Sequence, residues 1–489
     1  MEAVLSIKEM REIEALTLKE LKMSDNDLMQ HAGQELTKDF IERAKPEIRD
    51  VITVVSSVGN NGGDGLVMFL ELLKLGYKPK MLVIGSVDNA SKSFNHYFHQ
   101  VTQETKVIFH TKDNDLDVQR LLISSKYIVD GIFGAGLSRP VEGKYLDLIR
   151  YINGLEKIIY SIDIPSGIHP GNGLLFNEAI KASYTGVIGF YKYGNILNDA
   201  LDYHGDIKVL DIGLVKKQDT VVKLIQDSDF SIEPKKRIHN SYKYQYGLGY
   251  FIGGSKTMPG SINLSVLAAL RSGQGIGYVF QENPVAKHLE VIYEDIHQDI
   301  DFSRPDSIVF GPGLTPNNEH YQKLYDKINE SDIKTVIDAG GLKYFDLEHV
   351  KNPNLILTPH EKEFSDLFSV KVNEVEQDLF AYVKQIVDKG ITLILKGQTN
   401  VIANKKHIYL YQAKNPGLAT AGSGDVLTGI ISSYLIDNSP LSASIKGVLL
   451  HSKAAKAARE TYGEVSMIAS DIINHIYKVL KGGSNEISR

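Results

Sequence analysis

Asn415-Pro-Gly-Leu-Ala-Thr-Ala-Gly-Ser-Gly-Asp-Val-Leu-Thr-Gly429 carries the strongest local signal in this chain. Small residues (Gly417, Ala421, Gly422, Ser423, Gly424) run into Asp425, and the apolar run Val426 to Leu435 that follows predicts a helix. A glycine-rich turn at a helix start leaves backbone N–H groups without partners, and the positive end of the helix dipole lies behind them. That combination suits an anion. A carboxylate beside the anion can take the proton from a hydroxyl as the hydroxyl attacks a phosphoryl group. A bare Gly-x-Gly-Asp also fits a flexible turn with an N-capping aspartate. The flanking small residues favour a phosphoryl-transfer site, with Asp425 as its base.

Upstream, β-branched runs alternate with helical patterns along the whole chain. Val51–Ser57, Lys80–Ile84, Tyr127–Asp130, Lys157–Asp163, Ser183–Gly189 and Asp206–Asp211 form a first series of expected strands. Gly249–Gly253, Gly277–Gln281, Ser307–Phe310, Lys334–Asp338, Leu355–Thr358, Thr392–Lys396, Thr399–Ala403 and His407–Tyr411 form a second. Such alternation predicts an α/β fold with largely parallel sheets, whose ligands gather at the carboxyl ends of the strands. The polar stretch from Val215-Lys-Lys-Gln-Asp-Thr220 to Pro234-Lys-Lys-Arg237 has no sustained period. We place a domain boundary there, giving domains 1–225 and 226–489.

Composition narrows the classes. At 489 residues one core is not expected. A hydrophobic fraction of 43% with 23% charged residues is that of a globular protein. The net charge of −6 offers no basic footprint for nucleic acid. With no cysteine, disulfides, thiolate nucleophiles and zinc–thiolate sites are excluded. Met1–Met10 lacks a basic-then-apolar leader and no apolar run is long enough to span a bilayer, so a cytoplasmic protein without a membrane partner is expected.

The first series ends its strands in three notable loops. Val58-Gly-Asn-Asn-Gly-Gly-Asp-Gly65 precedes an expected helix Leu66–Leu75, at the position of a dinucleotide-binding loop but without Gly-x-Gly-x-x-Gly. The seven turn-forming residues Gly59–Gly65 in a row cost chain entropy, which a ligand would offset. Asp130-Gly-Ile-Phe-Gly-Ala-Gly136 runs into Leu137-Ser-Arg-Pro140, and Asp163-Ile-Pro-Ser-Gly167 ends the next strand. Each polar residue alone is a common turn residue; Asn61, Asp130, Asp163 and Ser166 together suggest one crevice.

These three loops resemble the NAD(P)H-hydrate epimerase domain, which interconverts the R and S epimers of NADH and NADPH hydrated at C6 of the nicotinamide ring. The resemblance implies a Rossmann-like three-layer sandwich. It implies that Asn60, Asn61, Gly62, Gly63 and Asp64 hold the hydrate, together with Gly134, Ala135, Gly136, Leu137, Ser138, Arg139, Pro140 and Asp163. It implies a potassium ion on Asn61, Asp130 and Ser166, an all-oxygen set suited to a hard cation. Asp163 is the candidate for proton transfer. The later Lys-x-Gly element is Lys192-Tyr-Gly194, preceded by Tyr191 where proline is usual.

The second series resembles the ADP- or ATP-dependent NAD(P)H-hydrate dehydratases, relatives of the ribokinase-like small-molecule kinases. The matching blocks are Phe251-Ile-Gly-Gly-Ser255 with Gly260-Ser261, Gly311-Pro-Gly-Leu314, Thr358-Pro-His-Glu-Lys-Glu363, Leu395-Lys-Gly-Gln-Thr-Asn400 and Asn415–Gly429. By this resemblance Ser261, Gly313, His360 and Asp425 contact the hydrate. Lys396, Gly397, Gln398, Thr399, Asn400, Gly422, Ser423 and Gly424 contact ADP or ATP, and a magnesium ion accompanies the phosphates. His360 lacks the second histidine of a zinc-protease helix and is not expected to bind metal. The chain departs from the family at Tyr242-Lys243-Tyr244, Ser261, Asp338-Ala339-Gly340 and Asn400.

Together the resemblances imply a bifunctional repair enzyme acting on NADHX and NADPHX with an adenine nucleotide, and a homo-oligomer. The alternatives are a vitamin or sugar-alcohol kinase in the second half, and a non-catalytic binding module in the first.

Overall fold

The computed structural model describes residues 1–111, 114–215 and 220–482; residues 216–219 of the polar seam lie outside the described residues. The chain divides into two compact units, Glu2–Val222 and the residues from Lys223 onward together with Met1.

In the first unit, seven parallel strands lie in the order Ile108–Phe109, Lys80–Ile84, Ile52–Ser57, Tyr127–Gly131, Ile158–Ile162, Tyr184–Ile188 and Asp206–Leu210. Successive residues of each strand face opposite sides, so Val54, Val83, Val129 and Tyr160 enter one apolar layer. Val55, Leu82, Ile128 and Ile159 enter the other. The first layer is covered by helices Asp25–Ala44, Asn60–Lys74 and Lys92–Glu104. The second is covered by Asp115–Ser124 and Gly143–Asn153. This is the expected three-layer sandwich. Strand order reverses between Ile52–Ser57 and Tyr127–Gly131, where an open parallel sheet leaves a crevice at its carboxyl edge.

In the second unit the sheet runs Ile292–Asp295, Ile276–Gln281, Leu248–Ile252, Ser307–Phe310, Thr335–Ile337, Leu355–Leu357 and Thr392–Leu395, all parallel. Thr399–Ala403 and Ile408–Gln412 continue it antiparallel. Helix Ser423–Leu435 is buried nearly all round, which its apolar sequence permits only inside a core. A Cβ at Gly429 would overlap the Ser265 carbonyl, so glycine lets this helix lie close against helix Pro259–Arg271. Among the described residues no helix is long and apolar enough to cross a membrane.

Two helices begin earlier than their apolar runs predict. The first-unit helix starts at Asn60, not Leu66, so the glycine segment is its first turn and not a loop. A Cβ at Gly62 would overlap the Ser57 carbonyl. Close packing of the helix on the strand it follows therefore supplies a reason for glycine here besides any ligand. The second-unit helix starts at Ser423, which makes Asp425 its third residue and not its N-cap.

Candidate active sites

In the first unit, strand ends and the first turn of helix Asn60–Lys74 bring three polar clusters together. Around the turn 131–134, Asp130 is buried and accepts from Ser161 Oγ (2.8 Å), Ser166 Oγ (2.5 Å), the Ser166 amide (2.9 Å) and the Ile132 amide (3.2 Å). Burial pushes its carboxyl up despite these four donors, none of which carries a full positive charge. Asn61 lies against the same turn: a Cβ on Gly134 would stand 2.6 Å from its Oδ1, and its Nδ2 is buried without a partner. Ser166 Oγ also lies 3.2 Å from the Phe133 carbonyl. The Asp130 carboxylate, the Ser166 hydroxyl, Asn61 Oδ1 and the Phe133 carbonyl thus bring four kinds of oxygen to one turn, a set that fits a hard monovalent cation; the partnerless Asn61 Nδ2 is a donor and adds nothing to it.

Asp163 follows with φ at +65°, a left-handed conformation uncommon for a non-glycine residue. It is held there from several sides. Its amide donates to the Gly186 carbonyl (2.8 Å), Asn195 Nδ2 donates to its carbonyl (3.0 Å), and the Ile188 amide donates to its Oδ1 (3.0 Å). The Lys192 ammonium, only 2% exposed, pairs with Oδ1 and donates to the Ile188 carbonyl (2.7 Å). Asp64 is also buried, and no hydrogen-bond donor among the described residues reaches its carboxylate. Burial first, then the charges of Asp163 and Glu14, push it well above the usual carboxylate range; Lys192 opposes them. Asn60 and Gly63 lie in the same first turn. Gly134 is buried, Ala135 half-buried and Gly136 exposed; Leu137 is packed into the core, and Ser138, Arg139 and Pro140 are exposed.

In the second unit the focus is the start of helix Ser423–Leu435. Gly422 has φ +88°, which favours glycine, and no side chain caps the helix. The Ser261 hydroxyl faces Asp425 and favours its charged form. Burial first, then the neighbouring Asp338, push the Asp425 carboxyl up to about 6, against the opposing Ser261 hydroxyl and Lys396 charge. Ser423 Oγ lies 3.3 Å from Nε2 of His451, a buried imidazole whose pKa burial lowers to about 4. Gly313 has φ +76° and is packed on the Met258 carbonyl. His360 caps helix Glu361–Leu367, its Nδ1 accepting from the Lys362 (3.2 Å) and Glu363 (3.3 Å) amides, so Nε2 carries the ring proton. The Lys396 amide donates to the Pro359 carbonyl (2.8 Å), which sets His360 beside Lys396.

Lys396–Gln398 forms the turn between two strands, with Gly397 and Gln398 exposed, and Thr399 (buried) and Asn400 (half-buried) open the second strand. The Lys396 ammonium points away from that turn. It donates to Asp338 Oδ1 (2.7 Å) and stands 3.1 Å from where a Cβ of Gly424 would be. Asp338 was not singled out as a site residue from the sequence; its signals were its place at the end of an expected strand and in the family-like block Asp338-Ala339-Gly340. The family departure at Gly340 is explained by packing, because a side chain there would overlap the Leu314 carbonyl.

Residues 250–478 match the family described as NAD(P)H-hydrate dehydratase, and residues 25–194 match the YjeF-related protein N-terminus. A bifunctional NAD(P)H-hydrate repair enzyme from Coxiella burnetii is 30% identical to this chain, over 96% of it and 97% of the relative. The chain belongs to this family of bifunctional repair enzymes. A member from Dictyoglomus turgidum is 28% identical over 99% of this chain and 98% of its own. Among solved structures, the ADP/ATP-dependent NAD(P)H-hydrate dehydratase from Bacillus subtilis, co-crystallized with ATP and Mg2+, is 29% identical. It covers 51% of this chain and 94% of its own, with a TM-score of 0.46.

Proposed function

We propose that the chain repairs hydrated NADH and NADPH in two steps. The first unit interconverts the R and S epimers. The second unit dehydrates the S epimer with ADP, or ATP, and releases NAD(P)H, AMP (or ADP) and phosphate. The observation that carries this is a half-buried carboxyl, Asp425, facing Ser261 at the uncapped start of helix Ser423–Leu435, in a chain of the bifunctional family.

In the second unit Asp425 takes the proton of the C6 hydroxyl as its oxygen attacks the terminal phosphoryl group. The bond from that phosphorus to the bridging oxygen breaks, and AMP leaves from ADP. Amides of Gly422–Gly424 and the helix dipole meet the charge on the transferring group. Loss of phosphate from C6, with a proton from C5, then restores the ring double bond. A carboxyl with a pKa near 6 is a better base than an ordinary aspartate and is still mostly ionised at neutral pH. Ser261, Gly313 and His360 hold the hydrate, and Lys396–Asn400 with Gly422–Gly424 hold the nucleotide. No trio of His, Asp or Glu among the described residues is grouped to hold a metal. Magnesium would accompany the nucleotide's phosphates, whose oxygens this ion commonly bridges.

In the first unit the hydrate lies against Asn60–Asp64 and Gly134–Pro140, with Asp163 moving the proton at the C6 centre and Lys192 holding Asp163 in place. Asn61, Asp130 and Ser166 would hold potassium, whose charge would offset the buried Asp130 carboxylate. We further assign the protein to the cytoplasm as a homo-oligomer, for which sedimentation is the check.

The test is a pair of variants assayed on purified epimers. Asp425→Ala is expected to lose nucleotide-dependent NADH recovery and keep epimer exchange, and Asp163→Ala to do the reverse. Loss of both activities in either folded variant would overturn the division of labour.

A further inference from the structure

Asp338 has no part in the chemistry above, yet it sits at the junction of the elements that build the second site. It follows strand Thr335–Ile337 and is 1% exposed. Its Oδ1 accepts from Lys396, at the end of strand Thr392–Leu395 (2.7 Å). Its Oδ2 accepts from Thr428 Oγ1 in helix Ser423–Leu435 (2.7 Å), and Thr358 is a second hydroxyl beside it. Thr428 Oγ1 also donates to the Gly424 carbonyl (3.0 Å), within the helix's first turn. One carboxylate therefore ties together three strand ends and the helix start. Burial opposes its charge, but Lys396 and the two hydroxyls outweigh it, so its carboxyl lies below the ordinary range.

The same bond fixes where the Lys396 charge can act. Of the three ammonium N–H groups one goes to Asp338, and no other hydrogen bond among the described residues takes the remaining two. They stand beside Gly424, whose missing side chain leaves the gap open. A lysine ammonium is a point charge with rotatable donors, suited to phosphate oxygens. In a buried site it acts at lower effective dielectric than in water.

Given the dehydratase reading of this unit, we propose that Asp338 is a positioning residue for phosphoryl transfer: it holds the Lys396 ammonium beside Gly424 at the helix start, where Lys396 meets the transferring phosphoryl group and not the nucleotide's base or ribose. Asp338 also bears on Asp425. The groups facing Asp425 are Asp338 and Lys396 from strand ends, Glu363 from helix Glu361–Leu367 and Ser261 from helix Pro259–Arg271. His451, from helix Pro440–Tyr462, reaches Ser423 beside it. Of these, Asp338 contributes the largest like-charge push.

The test is Asp338→Asn in the full-length protein, with epimer exchange by the first unit as an internal control for the preparation. Loss of one anchored charge that acts in the transition state is expected to lower kcat about 10²-fold or more, with KM for ADP changed less than about threefold. The acid limb of the kcat profile should move to lower pH. Lys396→Met should cost a similar factor, and the double variant should be no worse than the poorer single one. An unchanged kcat, a loss confined to KM, or strictly additive losses would overturn the proposal. If Asp338→Asn loses the unfolding transition of the second unit, Thr428→Val replaces it. That near-isosteric change removes one of the carboxylate's hydrogen bonds, so a kcat lower by several-fold at unchanged KM is expected; no change in kcat would overturn the proposal. A wild-type protein that restores no NADH with nucleotide would instead sink the dehydratase reading. Normal wild-type turnover with an unaffected Asp338→Asn variant would sink only the role of Asp338.

Discussion

Replacing Asp425 with asparagine should make the second unit more stable while disabling it. Its carboxyl rises from the ordinary 3.8 to about 6, because burial and Asp338 disfavour its charge more than Ser261 and Lys396 favour it. At about 1.4 kcal/mol per pH unit, that rise is an ionisation penalty of up to about 3 kcal/mol borne by the folded state. The folded form binds this proton more tightly than the unfolded chain does. Below about pH 4 both forms are protonated and there is no penalty; above about pH 6 both are ionised and the penalty is complete. Asparagine carries no such charge at any pH. The variant's advantage should therefore be near zero at pH 4 and full at pH 7.5, worth about 2–4 °C in unfolding midpoint per kcal/mol for a unit of this size. The same variant lacks its base, and kcat should fall about 10²- to 10⁴-fold. Calorimetry of wild type and Asp425→Asn at pH 4.5 and 7.5, beside an absorbance assay of NADH recovery, measures both. A midpoint difference that does not grow with pH would refute the electrostatic account of Asp425.

Asp163→Asn should strand the Lys192 ammonium, 2% exposed, without its countercharge, destabilising the first unit by about 3–5 kcal/mol in chemical unfolding. Adding Lys192→Met should recover stability but not epimer exchange. Gly134→Ala would press a Cβ against Asn61 Oδ1, 2.6 Å away in the present geometry. Epimerisation should fall about 10²-fold with loss of potassium dependence, while NADH recovery from the S epimer is unchanged. His451, lowered to about 4 by burial, stabilises the second unit fully above its unfolded pKa of about 6.5, and that contribution is lost as pH falls from there toward 4. His451→Gln should therefore flatten the acid side of the unfolding-midpoint profile.

Most strands could be read from β-branched runs bounded by turn residues: Lys80–Ile84, Ser307–Phe310 and Thr399–Ala403 have the expected limits. Short or weakly patterned strands such as Glu2–Leu5, Ile108–Phe109, Tyr191–Lys192 and Ile292–Asp295 carried too little periodicity to stand out. The two helix starts were misplaced for one reason. Glycine and asparagine read as turn formers, but at Asn60–Gly65 and Ser423–Gly424 close packing and the run of the following helix override intrinsic propensity. Asp425, Asp163, Asp130 and Ser166 were visible as polar residues at strand and helix ends. What stayed hidden was their electrostatics. The Asp163–Lys192 and Asp338–Lys396 pairs span 29 and 58 residues of sequence, and nothing local in the chain announces either.

On the proposed mechanism the amides at the start of helix Ser423–Leu435, with Asp425 beside them, receive the transferring phosphoryl group. A crystal structure with ADP or a non-hydrolysable analogue tests it most directly. The terminal phosphate is expected within hydrogen-bond distance of the Ser423 or Gly424 amide and of Lys396 Nζ; a terminal phosphate bound away from this helix start would overturn the mechanism.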